Sequence, residues 1–299
     1  MHNWDRTLTL AGIGHPSLRA DYTRQRDLVA AYRRHAYAAV RLLLPAALVP
    51  HVIAATAFMH RTDTLLDRAE DEGVSWARWE KEVRAALATG DTTDPELRPL
   101  LHTLSVHPAL RGPIEDFLTG ASLDREFTGF PDEADYQRYV DAYSLPAFML
   151  IASLLLAPDA DPLAARQLCR AYIDGSQRLD FVNDLAEDLG SGRLTLPVTT
   201  LARHGVSRED LERGRDTAGV RSLLRTLLEQ ARGDLLAARP LVRLAPPANR
   251  AFVRAVIELE VRTADAAQAK DVALLGGSAR PPVLTALRVL YREYARRGR

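Results

Sequence analysis

Three aspartates in the middle of the chain stand at successive i, i+4 positions: Asp180, Asp184 and Asp188, with Gln177 three residues ahead of the first. On a helix they share one face. Like charges stacked this way repel unless a cation lies between them. Magnesium suits the task, because it takes oxygen ligands and bridges carboxylates to substrate phosphates. A second pair, Asp63 and Asp67, repeats the spacing upstream, and both stretches are embedded in apolar sequence. Two acidic helix faces of this kind read as two walls of one metal-lined cavity. The competing reading is a pair of solvated, charge-decorated helix faces.

The central stretch, SQRLDFVNDLAEDLGSGRLTLP, resembles the second aspartate-rich motif of squalene and phytoene synthases, and the Asp63 stretch resembles their D-x-x-x-D motif. Two further segments fall in the family's order: LLLP at Leu42 to Pro45, and a middle segment with Gly120 to Asp124, Tyr136 and Tyr139. The resemblance covers roughly residues 25 to 275. It implies an all-α, single-domain isoprenoid-synthase-type helical bundle around a central cavity, with Mg2+ held by Asp63, Asp67, Asp180, Asp184 and Asp188. It further implies ionisation of an allylic prenyl diphosphate and capture of the carbocation by a nucleophile. In the family that nucleophile is a second prenyl diphosphate.

The departures from the family pattern are specific. Its serines ahead of LLLP fall on Ala36 and Ala38, an aromatic becomes Thr56, an arginine becomes His60, and an aspartate becomes Thr64. In the central motif its asparagine becomes Asp180, an arginine becomes Asn183, and a tyrosine becomes Thr195. Glycines that leave room for a long prenyl tail fall on Leu145 and Phe148. Carboxylates persist on both walls, so one diphosphate can be activated, while the groups that hold a second are depleted. Bulkier wall residues shorten the channel, since packed interiors leave little spare volume. The expectation is a short donor such as dimethylallyl diphosphate and an aromatic acceptor, as in the carbazole prenyltransferases related to squalene synthases. Two alternatives stand beside it: a head-to-head synthase condensing two prenyl diphosphates, and a non-catalytic paralogue that binds a prenyl diphosphate.

Individual residues carry two readings each. His60 is a candidate general base, since histidine titrates near neutrality, or a hydrogen-bonded structural histidine. Arg193 is placed to grip diphosphate. Asp124 matches a family aspartate or pairs with a neighbour such as Arg125. Phe58, Phe148 and Tyr139 line the pocket or belong to the core. The terminal YREYARRGR reads as a solvated helix end or as a basic amphipathic tail that touches a membrane.

The elements that must position these residues are helices. Ala, Leu, Arg and Glu dominate, and runs of β-branched residues are missing. Expected helices run over 25–44, 50–71, 75–89, 95–105, 108–127, 132–156 with a kink at Pro146, 162–189, 198–204, 220–244, 247–274 and 281–297. Residues 1–20 are expected to be a loose lead-in to one helical domain over 21–299. Basic and acidic residues balance at 39 each, which gives no electrostatic case for nucleic acid. The single Cys169 suits a reducing, cytoplasmic compartment. No apolar run is long enough to span a bilayer.

Overall fold

The computed structural model describes residues 3–67, 75–125 and 127–297, with the side chains of 67 and 122–125 outside the described set. Among the described residues every regular element is helical. The chain opens with α1 (Trp4–Leu10), α2 (Pro16–Tyr32), α3 (Arg34–Leu43) and α4 (Val49–Asp67). It continues through α5 (Trp76–Thr89), α6 (Arg98–Val106), α7 (Arg111–Arg125), α8 (Glu133–Tyr139) and α9 (Leu145–Leu155). The second half contains α10 (Pro162–Asn183), α11 (Leu185–Gly190), α12 (Val198–Arg203) and α13 (Arg208–Glu212). It closes with α14 (Ala218–Ala237), α15 (Leu241–Leu244), α16 (Arg250–Lys270) and α17 (Val283–Arg296).

The first correction concerns the N-terminus. Residues 1–20 were expected to be loose, yet Asn3 caps α1 by accepting from the Asp5 N–H, and Trp4, Leu8 and Ile13 are buried in the main core. An Asn cap followed by Trp4 and Leu8 at i, i+4 was the available signal. The helix expected over 25–44 starts earlier, at Pro16, and breaks at Arg33, whose φ of −126° and ψ of 53° leave the helical region. The one expected over 220–244 breaks ahead of Pro240, which has no N–H to continue it. The helix read over 162–189 also divides, at Asp184 (φ −98°, ψ 8°), so Asp188 belongs to a separate short helix.

The kink expected at Pro146 takes the form of a π-turn over Val140–Ser144 between α8 and α9, its last N–H (Leu145) bonding the Val140 carbonyl. One extra residue in the turn suits a proline that cannot donate to the preceding coil. Gly120 on α7 lets this turn approach. A Cβ there would sit 1.8 Å from the Ala142 carbonyl oxygen. Likewise Gly175 permits α10 to lie against α14, where a Cβ would meet the Ala231 carbonyl at 2.6 Å.

The main core runs through α1–α4, α10, α14 and α16, and a second cluster of buried side chains joins α4, α5, α6, α7 and α9. Helices α4 and α10 therefore sit firmly on apolar backing, with Asp63 and Asp180 turned away from it. Behind α10, Arg178 is 5% exposed and bonds Glu133 at 2.5 Å and Asp174 at 3.3 Å, its guanidinium 4.3 Å from the Tyr136 ring centre. That network ties α8 to α10.

Candidate active site

On α4, Asp63 accepts a 2.7 Å hydrogen bond from the Tyr143 hydroxyl. Tyr143 lies in the π-turn, so the bulge aims a phenol at the first acidic helix. Asp67 ends α4, and its side chain lies outside the described residues, as does that of Asp124. On α10, Asp180 is packed around by protein yet its surface stays open, as expected of a carboxylate lining a recess. Burial, then the neighbouring Asp184, push its carboxyl up to about 7, against the pull of Arg33. Asp184 is raised as well, by burial and by Asp188 and Glu187, with Arg280 and Arg33 opposing. Asp188 accepts a 3.0 Å hydrogen bond from Thr195, which is 1% exposed. The residue that departs from the family tyrosine thus fixes a carboxylate.

Four residues not singled out from the sequence belong to this site: Arg33, Tyr143, Glu260 and Arg280. Arg33 stands at the break between α2 and α3, close enough to Asp63, Asp180, Asp184 and Glu260 to act on all four charges. Arg280 acts on Asp184 from the segment after α16. Asn183 holds that segment: its amide donates to the Ala279 carbonyl at 3.0 Å and its carbonyl accepts from the Ala279 N–H at 2.7 Å. Glu260 on α16 faces Asp180, and burial with that neighbour lifts its carboxyl to about 8. The i, i+4 pair Tyr139–Tyr143 was a legible hint to Tyr143. Glu260 and Arg280 carry no local signature.

The aromatic residues form a wall between the two acidic stretches. Tyr143 and Tyr139 have ring centres 5.4 Å apart, Tyr139 lies 6.2 Å from Phe181, and Phe127 is 5.7 Å from Tyr139. The Arg193 guanidinium sits over Phe127 at 5.4 Å. His60 stacks on Tyr32 with ring centres 3.8 Å apart, and burial with the adjacent Arg33 pulls its pKa below the ordinary histidine value. It is therefore neutral at pH 7. Gln177 accepts from the Ser144 hydroxyl at 2.9 Å, and the Thr56 hydroxyl is spent on the Val52 carbonyl at 2.8 Å. Leu145 is 1% exposed, and Phe148 stacks on Tyr172 at 4.7 Å.

Phe58 is not brought to the recess. It packs between Trp79 and Phe117 and borders a cavity of about 390 Å³ between α2, α4 and α5, which His60 and Thr64 also line. Five positions separate it from Asp63, which turns it to another face of the helix.

The donor set suits a hard divalent cation: carboxylate oxygens with hydroxyls behind them. Among the described residues no three ligating side chains converge on one point.

A squalene/phytoene synthase family profile matches residues 29–288. Phytoene synthase 2 of Zea mays is 27% identical over 258 residues, covering 84% of this chain and 63% of that protein, so the chain spans less than two thirds of its relative's length. Among solved structures, squalene synthase HpnC from Alicyclobacillus acidocaldarius aligns with a TM-score of 0.75 at 24% identity, covering 90% of this chain and 99% of that one. A dehydrosqualene synthase in complex with ligand aligns with a TM-score of 0.79 at 18% identity, covering 93% and 97%. At these identities the two structures speak for the fold.

Proposed function

The chain belongs to the squalene/phytoene synthase family, and from that premise we propose that it is a magnesium-dependent prenyltransferase acting on a short allylic diphosphate, dimethylallyl diphosphate in the first place, with an aromatic small molecule as acceptor. The observation that carries the acceptor class is the filled and polar end of the recess. Leu145 is buried, Phe148 is stacked on Tyr172, and the carboxyl groups of Asp180 and Glu260 lie near that tyrosine. A second long hydrocarbon tail laid there would meet packed side chains and desolvate polar carboxyl groups, both unfavourable.

Magnesium held by Asp63, Asp67, Asp180, Asp184 and Asp188 would supply Lewis-acid neutralisation of the leaving diphosphate. The chain's own residues do the rest. Arg33 and Arg280 bring positive charge to the diphosphate end from two sides, and Arg193 is available at the edge. Tyr143 and Thr195 hold Asp63 and Asp188 in fixed orientations. Gln177 is itself held by Ser144. The rings of Tyr139, Phe181 and Phe127 offer π-faces to an allylic cation and keep water out. Neutral His60 is in the right protonation state to take the proton that aromatic substitution releases.

The test is diphosphate release with magnesium, offering dimethylallyl, geranyl, farnesyl and geranylgeranyl donors, each with and without phenolic, indole or carbazole acceptors. Release that needs a short donor and an aromatic acceptor supports the proposal. Acceptor-independent consumption of a long donor, with a cyclopropyl or hydrocarbon product, overturns it in favour of head-to-head condensation.

A further inference from the structure

We infer that α17 is a membrane-docking helix that lies on anionic lipid. Val283, Leu284, Leu287, Tyr291 and Tyr294 are 74%, 68%, 55%, 74% and 51% exposed, and they account for nearly half of the large exposed apolar side chains named across the described residues. At 100° per residue these five positions fall within a stripe about 100° wide. Val289 and Glu293, on the far side, are buried, and Leu290, bordering the stripe, packs on the core. One flank of the helix is thus spent on the fold, and the stripe is open. Singly scattered exposed hydrophobics need no explanation, but a contiguous stripe on one helix marks a contact surface.

The charges beside the stripe select the partner. Arg288 flanks the stripe, Arg292 and Arg296 continue the row at i, i+4 spacing further round the helix, and Arg297 follows, donating to the Leu42 carbonyl at 2.9 Å. The one acid of the helix, Glu293, is fully buried and bonded by Arg254, Arg292 and Arg296 at 2.6 to 3.1 Å. Three arginines less one glutamate leave the helix with two positive charges, and no acid faces outward from it. A second copy docked through the same stripe would find nothing to answer the arginine row. Five side chains on a helix of 14 residues also fall short of the 20 to 30 residues per side that a stable dimer interface uses. A basic helix with Leu and Tyr on its open face instead fits the headgroup region of an anionic bilayer, tyrosine hydroxyls in the wet layer and leucines below them. Among the described residues no helix is long and apolar enough to cross a bilayer, so the contact is superficial.

The inference stands apart from the reaction proposed above. It is tested on the full chain by co-sedimentation with vesicles of phosphatidylcholine alone and of phosphatidylcholine with phosphatidylglycerol. The wild type is expected to bind the anionic vesicles, and raised salt should weaken that binding. The triple variant Leu284→Ser, Leu287→Ser, Tyr291→Ser should bind at least about tenfold more weakly, while Leu163→Ser, an exposed leucine on α10, should bind like wild type. Circular dichroism establishes that each variant is folded. Equal vesicle binding by wild type and triple variant overturns the inference, and so does absence of binding to anionic vesicles. Sedimentation equilibrium showing a dimer that the triple variant abolishes would replace the bilayer by a second copy.

Discussion

Replacing Glu260 by Gln should stabilise the metal-free protein at alkaline pH and leave it unchanged in acid. Burial and Asp180 push the Glu260 carboxyl from 4.5 to about 8, Arg33 opposing. A folded-state pKa above the unfolded value means that the folded protein binds the proton more tightly. The penalty of ionising Glu260 is then absent below about pH 4, grows through the window up to about pH 8, and is complete above it. Each tenfold difference in proton affinity is worth about 1.4 kcal/mol. The carboxylate is partly open to water and shares its repulsion with Asp180, so screening leaves about 1–3 kcal/mol. In a chain of this length that corresponds to a rise in Tm of about 2–5 °C. Thermal melts with chelator at steps from about pH 5 to pH 9 read it directly, and the gain should follow the titration described. Magnesium with inorganic diphosphate relieves the same repulsion in the wild type, so the gap should narrow. Coincident melts of the two proteins near pH 9, or an equal gap at both ends of the range, would refute the placement of a strained carboxylate pair.

Asp184→Asn should lower magnesium-dependent diphosphate release by at least about 100-fold with an unchanged circular dichroism spectrum; near-wild-type turnover would remove Asp184 from the metal site. Thr195→Val leaves the Asp188 carboxylate without its 3.0 Å donor and should raise the magnesium concentration for half-maximal activity about tenfold. Asn183→Ala frees the segment that carries Arg280, and the donor KM should rise about fivefold with kcat less affected. Gly120→Ala forces a methyl group onto the Ala142 carbonyl and should cost about 3 kcal/mol or more, seen as a lower Tm; a wild-type melt would mean that α7 can move off the π-turn without loss.

The helical class and the acidic stretches were legible because both are local. Spacing of i, i+4 is a property of a single helix, and it put Asp180 on α10 and Asp184 one turn on, at that helix's C-cap, without any knowledge of the fold. Legibility failed wherever a partner is distant in sequence. Tyr143 reaches Asp63 across 80 residues, and the Asn183–Ala279 pair spans 96. Asn183 was read only as the loss of a family arginine, yet its two hydrogen bonds bring in the segment bearing Arg280, which puts a guanidinium near the same aspartates. Arg33 likewise stands beside positions read as lost phosphate contacts, and nothing near it in sequence marks the helix break that turns it inward. A residue-by-residue comparison with a family counts such changes as erosion, because it scores each position alone. In three dimensions positive charge reaches the aspartates from the α2–α3 break and from the segment before α17. The acidic recess thus answers to both ends of the chain, and Arg33 and Arg280 are the substitutions that separate a relocated diphosphate grip from an abandoned one.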